Sequence, residues 1–256
     1  MKKKIGVLVI IGIVLSIIGI ITMVVSGVFA YQDYKNYNKY SEGKIELKQD
    51  LDYSFSFDNG TINIYKSDLE YSYIDYKIID LFKFEVSNKN VKLTSKIKLF
   101  TSFSNKNNID LYLADNINDN NIFITLNAGE IKSEENIICN SMDLKLNAGK
   151  ITTSISCENN LNIHLNAGEM NIAESKAKSI NVKINAGKLN MKSDFESLNF
   201  KINAGEYNLT CSGAKEDYNI NIEKNAGTSN ASNGGTGSKK IDGKINAGRF
   251  NISYAN

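Results

Sequence analysis

From about residue 44 onward, apolar and polar residues alternate in short runs. Tyr53-Ser54-Phe55-Ser56-Phe57, Leu144-Lys145-Leu146 and Ile180-Asn181-Val182-Lys183-Ile184 each put every second side chain on one face, which is the period of a β-strand. The start of the chain differs. Lys2, Lys3 and Lys4 precede an uncharged apolar run from Ile5 to about Ala30, long enough at about 1.5 Å per residue to span a ~30 Å hydrocarbon core. This pattern predicts a transmembrane helix over 5–30, with residues 1–4 cytoplasmic and everything after residue 30 outside. A cleaved signal peptide ending at Val28-Phe29-Ala30 is the competing reading, although its apolar core would be shorter. Tyr31, Tyr34, Tyr37 and Tyr40 follow at three-residue intervals, read as an interfacial aromatic belt and then a helical stripe. Ser41-Glu42-Gly43 closes a juxtamembrane stalk over 31–43.

Asn-Ala-Gly recurs seven times, as Asn127 to Gly129, Asn147 to Gly149, Asn166 to Gly168, Asn185 to Gly187, Asn203 to Gly205, Asn225 to Gly227 and Asn246 to Gly248. The steps between glycines are 20, 19, 19, 18, 22 and 21 residues. A period near 19 is too short for a helix pair, and strand patterns flank each copy. The prediction is an all-β, single-stranded parallel β-solenoid, right-handed, with each Asn-Ala-Gly as a corner. Regular repeats occupy 126–256. The stretch 44–125, which includes Thr61 to Tyr65, Tyr73 to Ile79, Phe82 to Val86, Val91 to Leu99 and Ile109 to Leu113, reads as irregular opening coils or a separate small β domain.

Aligning the coils assigns positions. Leu126, Leu146, Leu165, Ile184, Ile202, Lys224 and Ile245 precede the motif and point inward, and the alanine keeps that parity. Glycine permits a backbone angle that a side chain would penalise. The seven asparagines predict one hydrogen-bonded column. Asn171, Asn190, Asn208, Asn230 and Asn251 predict another. The outward residue after the corner reads Glu130, Lys150, Glu169, Lys188, Glu206, Thr228, Arg249, so opposite charges stack for five coils and fix the register. The sixth coil is polar, with Lys224 inward and a glycine-rich stretch over 232–238 read as a flexible bulging loop. The seventh coil is expected to end the stack.

Composition narrows the chemistry. Subtracting Lys2, Lys3 and Lys4 from the formal charge of +2 leaves about −1, so no global field draws the outer part to nucleic acid. Abundant Lys, Ile and Asn with a single arginine, Arg249, reflect an AT-rich genome. Cys139, Cys157 and Cys211 are too few for a disulfide framework. Cys139 and Cys157 fall in adjacent coils within disulfide reach, with buried thiols the favoured state. His164 is the only histidine, which excludes histidine-based triads and multi-histidine metal sites. No catalytic residue, metal or cofactor is assigned. One column remains: Lys145, His164, Lys183, Lys201, Glu223 and Lys244 stand two residues before the asparagines. Solvated lysines explain it simply. The functional alternative is a ligand strip of Lys145, His164, Lys183, Lys201 and Lys244 for an anionic surface glycopolymer, with Asn162, Asn181, Asn199 and Asn221 bonding sugar hydroxyls.

Ile109-Asp110-Leu111-Tyr112-Leu113-Ala114, followed by Ile122-Phe123-Ile124-Thr125-Leu126-Asn127-Ala128-Gly129-Glu130-Ile131, resembles the bacterial "putative adhesin" family, also called the toastrack β-strand-repeat family. Ala114 stands where that family often has proline, and Glu or Lys follows glycine where aspartate is common. The resemblance implies an extracytoplasmic β-solenoid without known catalysis. The expected function is a membrane-anchored, non-catalytic adhesion or binding module of the cell surface. The alternative is an accessory of envelope-stress or membrane signalling that docks another membrane protein; a polysaccharide-acting enzyme is a remote third.

Overall fold

The computed structural model describes residues 39–48, 52–80, 82–87, 90–95, 107–117 and 119–255. The expected membrane helix, its cytoplasmic flank, and Tyr31, Tyr34 and Tyr37 lie outside the described residues. Among the described residues, no helix is long and apolar enough to cross a membrane. All seventeen strands join in one long sheet. They are β1 (Tyr40–Glu46), β2 (Tyr53–Phe57), β3 (Thr61–Lys66), β4 (Tyr73–Ile79), β5 (Phe82–Val86), β6 (Asn90–Ser95), β7 (Asn108–Leu113), β8 (Asn121–Leu126), β9 (Glu130–Leu146), β10 (Lys150–Leu165), β11 (Glu169–Ile184), β12 (Lys188–Ile202), β13 (Glu206–Cys211), β14 (Tyr218–Lys224), β15 (Thr228–Ser229), β16 (Lys239–Ile245) and β17 (Arg249–Tyr254). Tyr40 thus begins an edge strand within the stretch expected to be stalk, and the helical stripe does not extend to it.

From β8 to β12 the levels stack in parallel and in register, one motif above the next. Alternation explains the core. Leu146, Leu165, Ile184 and Ile202 are fully buried one above another, and a single apolar cluster runs from Leu47 to Ile252. One level exposes both its flat sides, so its apolar residues are covered only by the levels above and below. At the corners the motif N–H groups complete the ladder: Asn147 donates to the Leu126 carbonyl at 2.9 Å and Asn166 to the Leu146 carbonyl at 2.9 Å. A Cβ on Gly149 would lie 2.1 Å from the Gly129 carbonyl oxygen. The corners are glycine because glycine stacks on glycine at backbone contact. Positive φ adds to this only at Gly129, Gly149 and Gly168 among the seven. The alanines do not keep inward parity: Ala148, Ala167, Ala186 and Ala204 are exposed at the outer tip, because the corner rotates the backbone between the asparagine and the glycine.

Both ends of the stack depart from chain order. At the C-terminal end β16 pairs directly with β12, and β14 pairs with β16. Asn246 donates to Ile202 O at 2.8 Å, and Asn225 to Ile245 O at 2.9 Å. The seventh motif therefore sits on the fifth, and the sixth forms the last level. This corrects the expectation that the seventh coil ends the stack. Lys224 is exposed because no further level of the described residues lies beyond it, and the polar sixth repeat serves as the soluble end that stacked repeats require. The glycine-rich segment is no bulge. It folds over the outer edge of β14, where Gly234 exchanges backbone hydrogen bonds with Ile220 at 2.8 and 2.9 Å. Asn233 accepts from Ile222 N at 2.9 Å and donates to Ile222 O at 3.1 Å.

The N-terminal end repeats the device. β2 lies between β6 and β8, and β3 between β7 and β9. The level of β6 and β7 therefore lies outside the earlier level of β2 and β3. Beyond it β5 pairs antiparallel with β6, β4 with β7 and β1 with β4. The described strands between 44 and 125 thus continue the same sheet, but with antiparallel outer strands that depart from a purely parallel, single-stranded coil. Asp58-Asn59-Gly60 is a hidden first corner, with Gly60 at φ 144° and its carbonyl accepting from Glu130 N at 2.9 Å.

Candidate functional site

Outward side chains form columns whose membership follows the observed order of levels. The corner asparagines make one continuous amide ladder. Asn127 donates to Asp58 at 2.8 Å, and Asn147, Asn166, Asn185 and Asn203 each donate to the preceding asparagine at 2.6, 2.5, 2.6 and 2.8 Å. Asn246 then bonds Asn203 at 2.8 Å and Asn225 bonds Asn246 at 2.9 Å. The second column runs Asn171, Asn190, Asn208, Asn251. Asn230, expected within it, instead donates to Ile252 O and accepts from Ile252 N. Sequence reasoning missed a further ladder, in which Asn121, Asn140 and Asn159 rise from Asp52 to Lys178. Between levels each of these amides donates toward the N-terminal end, while Asn171 and Asn208 also donate to Glu169 and Glu206 on their own strands. A carboxylate receives the first N–H, and in the missed ladder a lysine donates to the last carbonyl. These columns are structural.

Charges outside the corner alternate as expected, and farther. Glu130, Lys150, Glu169, Lys188 and Glu206 are vertical neighbours, and the exchanged levels place Arg249 directly on Glu206. Lys188 lies 3.9 Å from Glu206. Elsewhere on the surface Lys178 meets Glu158, Lys192 meets Glu174 and Lys239 meets Asp194.

The strip on the strands preceding the corner breaks this rule. Lys145, His164, Lys183, Lys201 and Lys244 are consecutive Cα partners, all exposed. The exchange of levels brings Lys244 onto Lys201, a contact hidden in the sequence because Glu223 falls between them along the chain. Lys244 ends the strip in an ion pair with Glu223 at 3.1 Å. Among the described residues, Lys145, Lys183 and Lys201 have no ion-pair partner. Like charges directly opposed across strands are destabilising by a few tenths to about 1 kcal/mol. A groove of about 480 Å³ follows the strip from His164 to Glu223, with Val182, Phe200 and Gly243 in its floor. The Phe200 ring fills the room under Gly243, where a Cβ would come within 2.1 Å of the ring. The flanking asparagines are less free than expected, since Asn162 donates to Asp143, Asn181 to Asn162 at 2.9 Å and Asn221 to Asp242 at 3.3 Å. The described residues hold no group of three His, Cys, Asp or Glu placed to bind a metal.

The thiols lie inside. Cys139 and Cys157 Sγ atoms are 3.5 Å apart as free, buried cysteines. The hydrogen bond with Cys139 and desolvation push the Cys157 thiol far up. Burial pushes Cys211 up to about 12.

Registered levels, internal ladders and an exposed basic column define a stacked-repeat β protein of solenoid-like build with one distinctive outer face. The chain belongs to the toastrack family, DUF4097, whose sequence model matches residues 33–256. Similar solved structures include a "putative adhesin" from Bacteroides fragilis NCTC 9343, at 12% identity and TM-score 0.46 over 85% of this chain and 98% of that one. A "putative cell adhesion protein" from Clostridium sporogenes ATCC 15579 matches at 13% identity and TM-score 0.34, over 85% of this chain and 100% of that one. A "putative lipid binding protein" from Parabacteroides distasonis ATCC 8503 matches at 13% identity and TM-score 0.41, over 84% of this chain and 97% of that one. No curated protein matches the chain in sequence.

Proposed function

We propose that this protein is a non-catalytic binding module of the bacterial cell surface, held at the membrane by residues 5–30, with the strip as its binding face for an anionic surface glycopolymer. One observation carries the reading. The column outside the corner alternates in sign from Glu130 to Arg249, while Lys183, Lys201 and Lys244 stand on one another beside a groove. Lys183 and Lys201, opposed to each other and without an ion-pair partner among the described residues, are placed to meet an external anion. Attraction of this kind is screened by salt. The test is retention on purified anionic wall polymer. The native chain should be retained and released as salt rises, and Lys183→Gln with Lys201→Gln should cut retention several-fold without lowering thermal stability, since the two like charges oppose each other. Equal retention of both proteins would remove the strip from the binding face. Capture of a stoichiometric membrane protein, with no polymer retention, would favour the signalling-accessory reading.

A further inference from the structure

We propose that the ligand of this face is a linear polyanion lying parallel to the stack axis, and that carboxylates at both ends of the strip fix its footprint, with Glu223 as the principal stop. This rests on the reading of the strip as a binding face. The basic side chains occur one per level in a single file, four lysines with His164 between Lys145 and Lys183. At about 4.8 Å per level, Lys145 to Lys244 spans about 19 Å. A compact anion would touch one or two of them, whereas a chain of repeating charge can meet each in turn.

The neighbouring column, two residues earlier on the same strands, shows where the chain ends. It reads Asp143, Asn162, Asn181, Asn199, Asp242, Asn221 in the observed stacking order. The central levels of His164, Lys183 and Lys201 are flanked by neutral amides, while Lys145 and Lys244 are flanked by aspartates. Beyond Lys244 the terminal level supplies Glu223, whose carboxylate holds the Lys244 ammonium at 3.1 Å. Beyond Lys145 lies uncharged Thr125. Positive potential is therefore greatest in the middle and cancelled at each end. Glu223 already occupies the place the next anionic group would take, so an anionic chain reaching that level is repelled and Lys244 is only half available.

Inorganic polyphosphate of graded length tests this on the full chain in detergent, by titration at fixed low salt. Affinity should rise from triphosphate upward and level off once the chain covers the strip. Glu223→Gln should tighten binding of long chains by about 3- to 5-fold, the size of one released surface ion pair, and leave triphosphate unchanged. Lys201→Gln should weaken long chains by a similar factor. Triphosphate binding as tightly as long chains, or a Glu223→Gln protein indistinguishable from the native one, overturns the inference while leaving the strip as an anion site if Lys201→Gln still weakens binding. Binding to vesicles rich in anionic lipid but to no soluble polyphosphate also overturns it. If neither polyphosphate nor wall polymer binds and the lysine variants are inert, the reading of the binding face falls with it.

Discussion

Tyr207 is among the largest fully buried side chains of the described residues, packed with Phe200 and Phe250 at ring-centroid distances of 5.7 and 5.3 Å. Its hydroxyl has no hydrogen-bond partner among the described residues, so the fold bears its desolvation without return. Tyr207→Phe keeps the ring contacts and removes that cost. It should stabilise the protein by about 1 kcal/mol, read as a higher urea midpoint with unchanged slope; a lower midpoint would show that the hydroxyl has a partner. The buried thiols bear on alkaline stability. Cys211 stays protonated in the fold to about pH 12, while an unfolded thiol ionises near 8.5. A folded pKa above the unfolded one gives stability that is complete below the unfolded value and falls as pH rises toward the folded one. Stability should therefore decline from about pH 8.5 upward, with the decline reduced in Cys211→Ala. The thiolate is the reactive form and all three thiols are buried, so alkylation at pH 8 should be negligible at Cys157 and Cys211 in native protein, should be blocked at Cys139 by burial alone, and should be complete at all three after denaturation.

Strands were the most legible elements. Tyr53–Phe57, Tyr73–Ile79 and Phe82–Val86 fall where alternation places them, because a period of two is written directly in side chains that must alternate between core and water. Corner asparagines were legible for a related reason, since a column needs the same residue at the same phase in every level. The strand edges were not. Asn233 and Asn230 each satisfy a backbone N–H and C=O of an edge strand with one side-chain amide, and no pattern marks an amide that substitutes for a strand. Such a plug also blocks edge-to-edge association. Asn233→Ala removes two hydrogen bonds and should cost about 1–2 kcal/mol. It should also cause concentration-dependent light scattering that Asn219→Ala, an exposed substitution on the same strand, does not. Destabilisation without association would assign Asn233 to stability alone.

At the scale of the whole molecule, chain order and stacking order differ, and the candidate site depends on that difference. With levels in chain order, Glu223 would separate Lys201 from Lys244 and Thr228 would separate Glu206 from Arg249. In the observed order the basic file is unbroken and Arg249 continues the alternating column. Hydrophobic periodicity could not show this, because every level presents the same apolar phase to whichever neighbour covers it. Only the polar sixth repeat and the Glu206–Arg249 match carried the information. Crosslinking can check the order without a ligand. Adjacent levels are about 4.8 Å apart, within the Cα separation a disulfide bridges, whereas levels two apart exceed it. Asn203→Cys with Asn246→Cys should therefore join under mild oxidation although the two lie 43 positions apart in the chain, and Asn203→Cys with Asn225→Cys should not. The native thiols do not compete, being buried. A bond between 203 and 225 in place of 203 and 246 would restore chain order, split the basic file at Glu223, and withdraw the geometric basis for an axial polyanion.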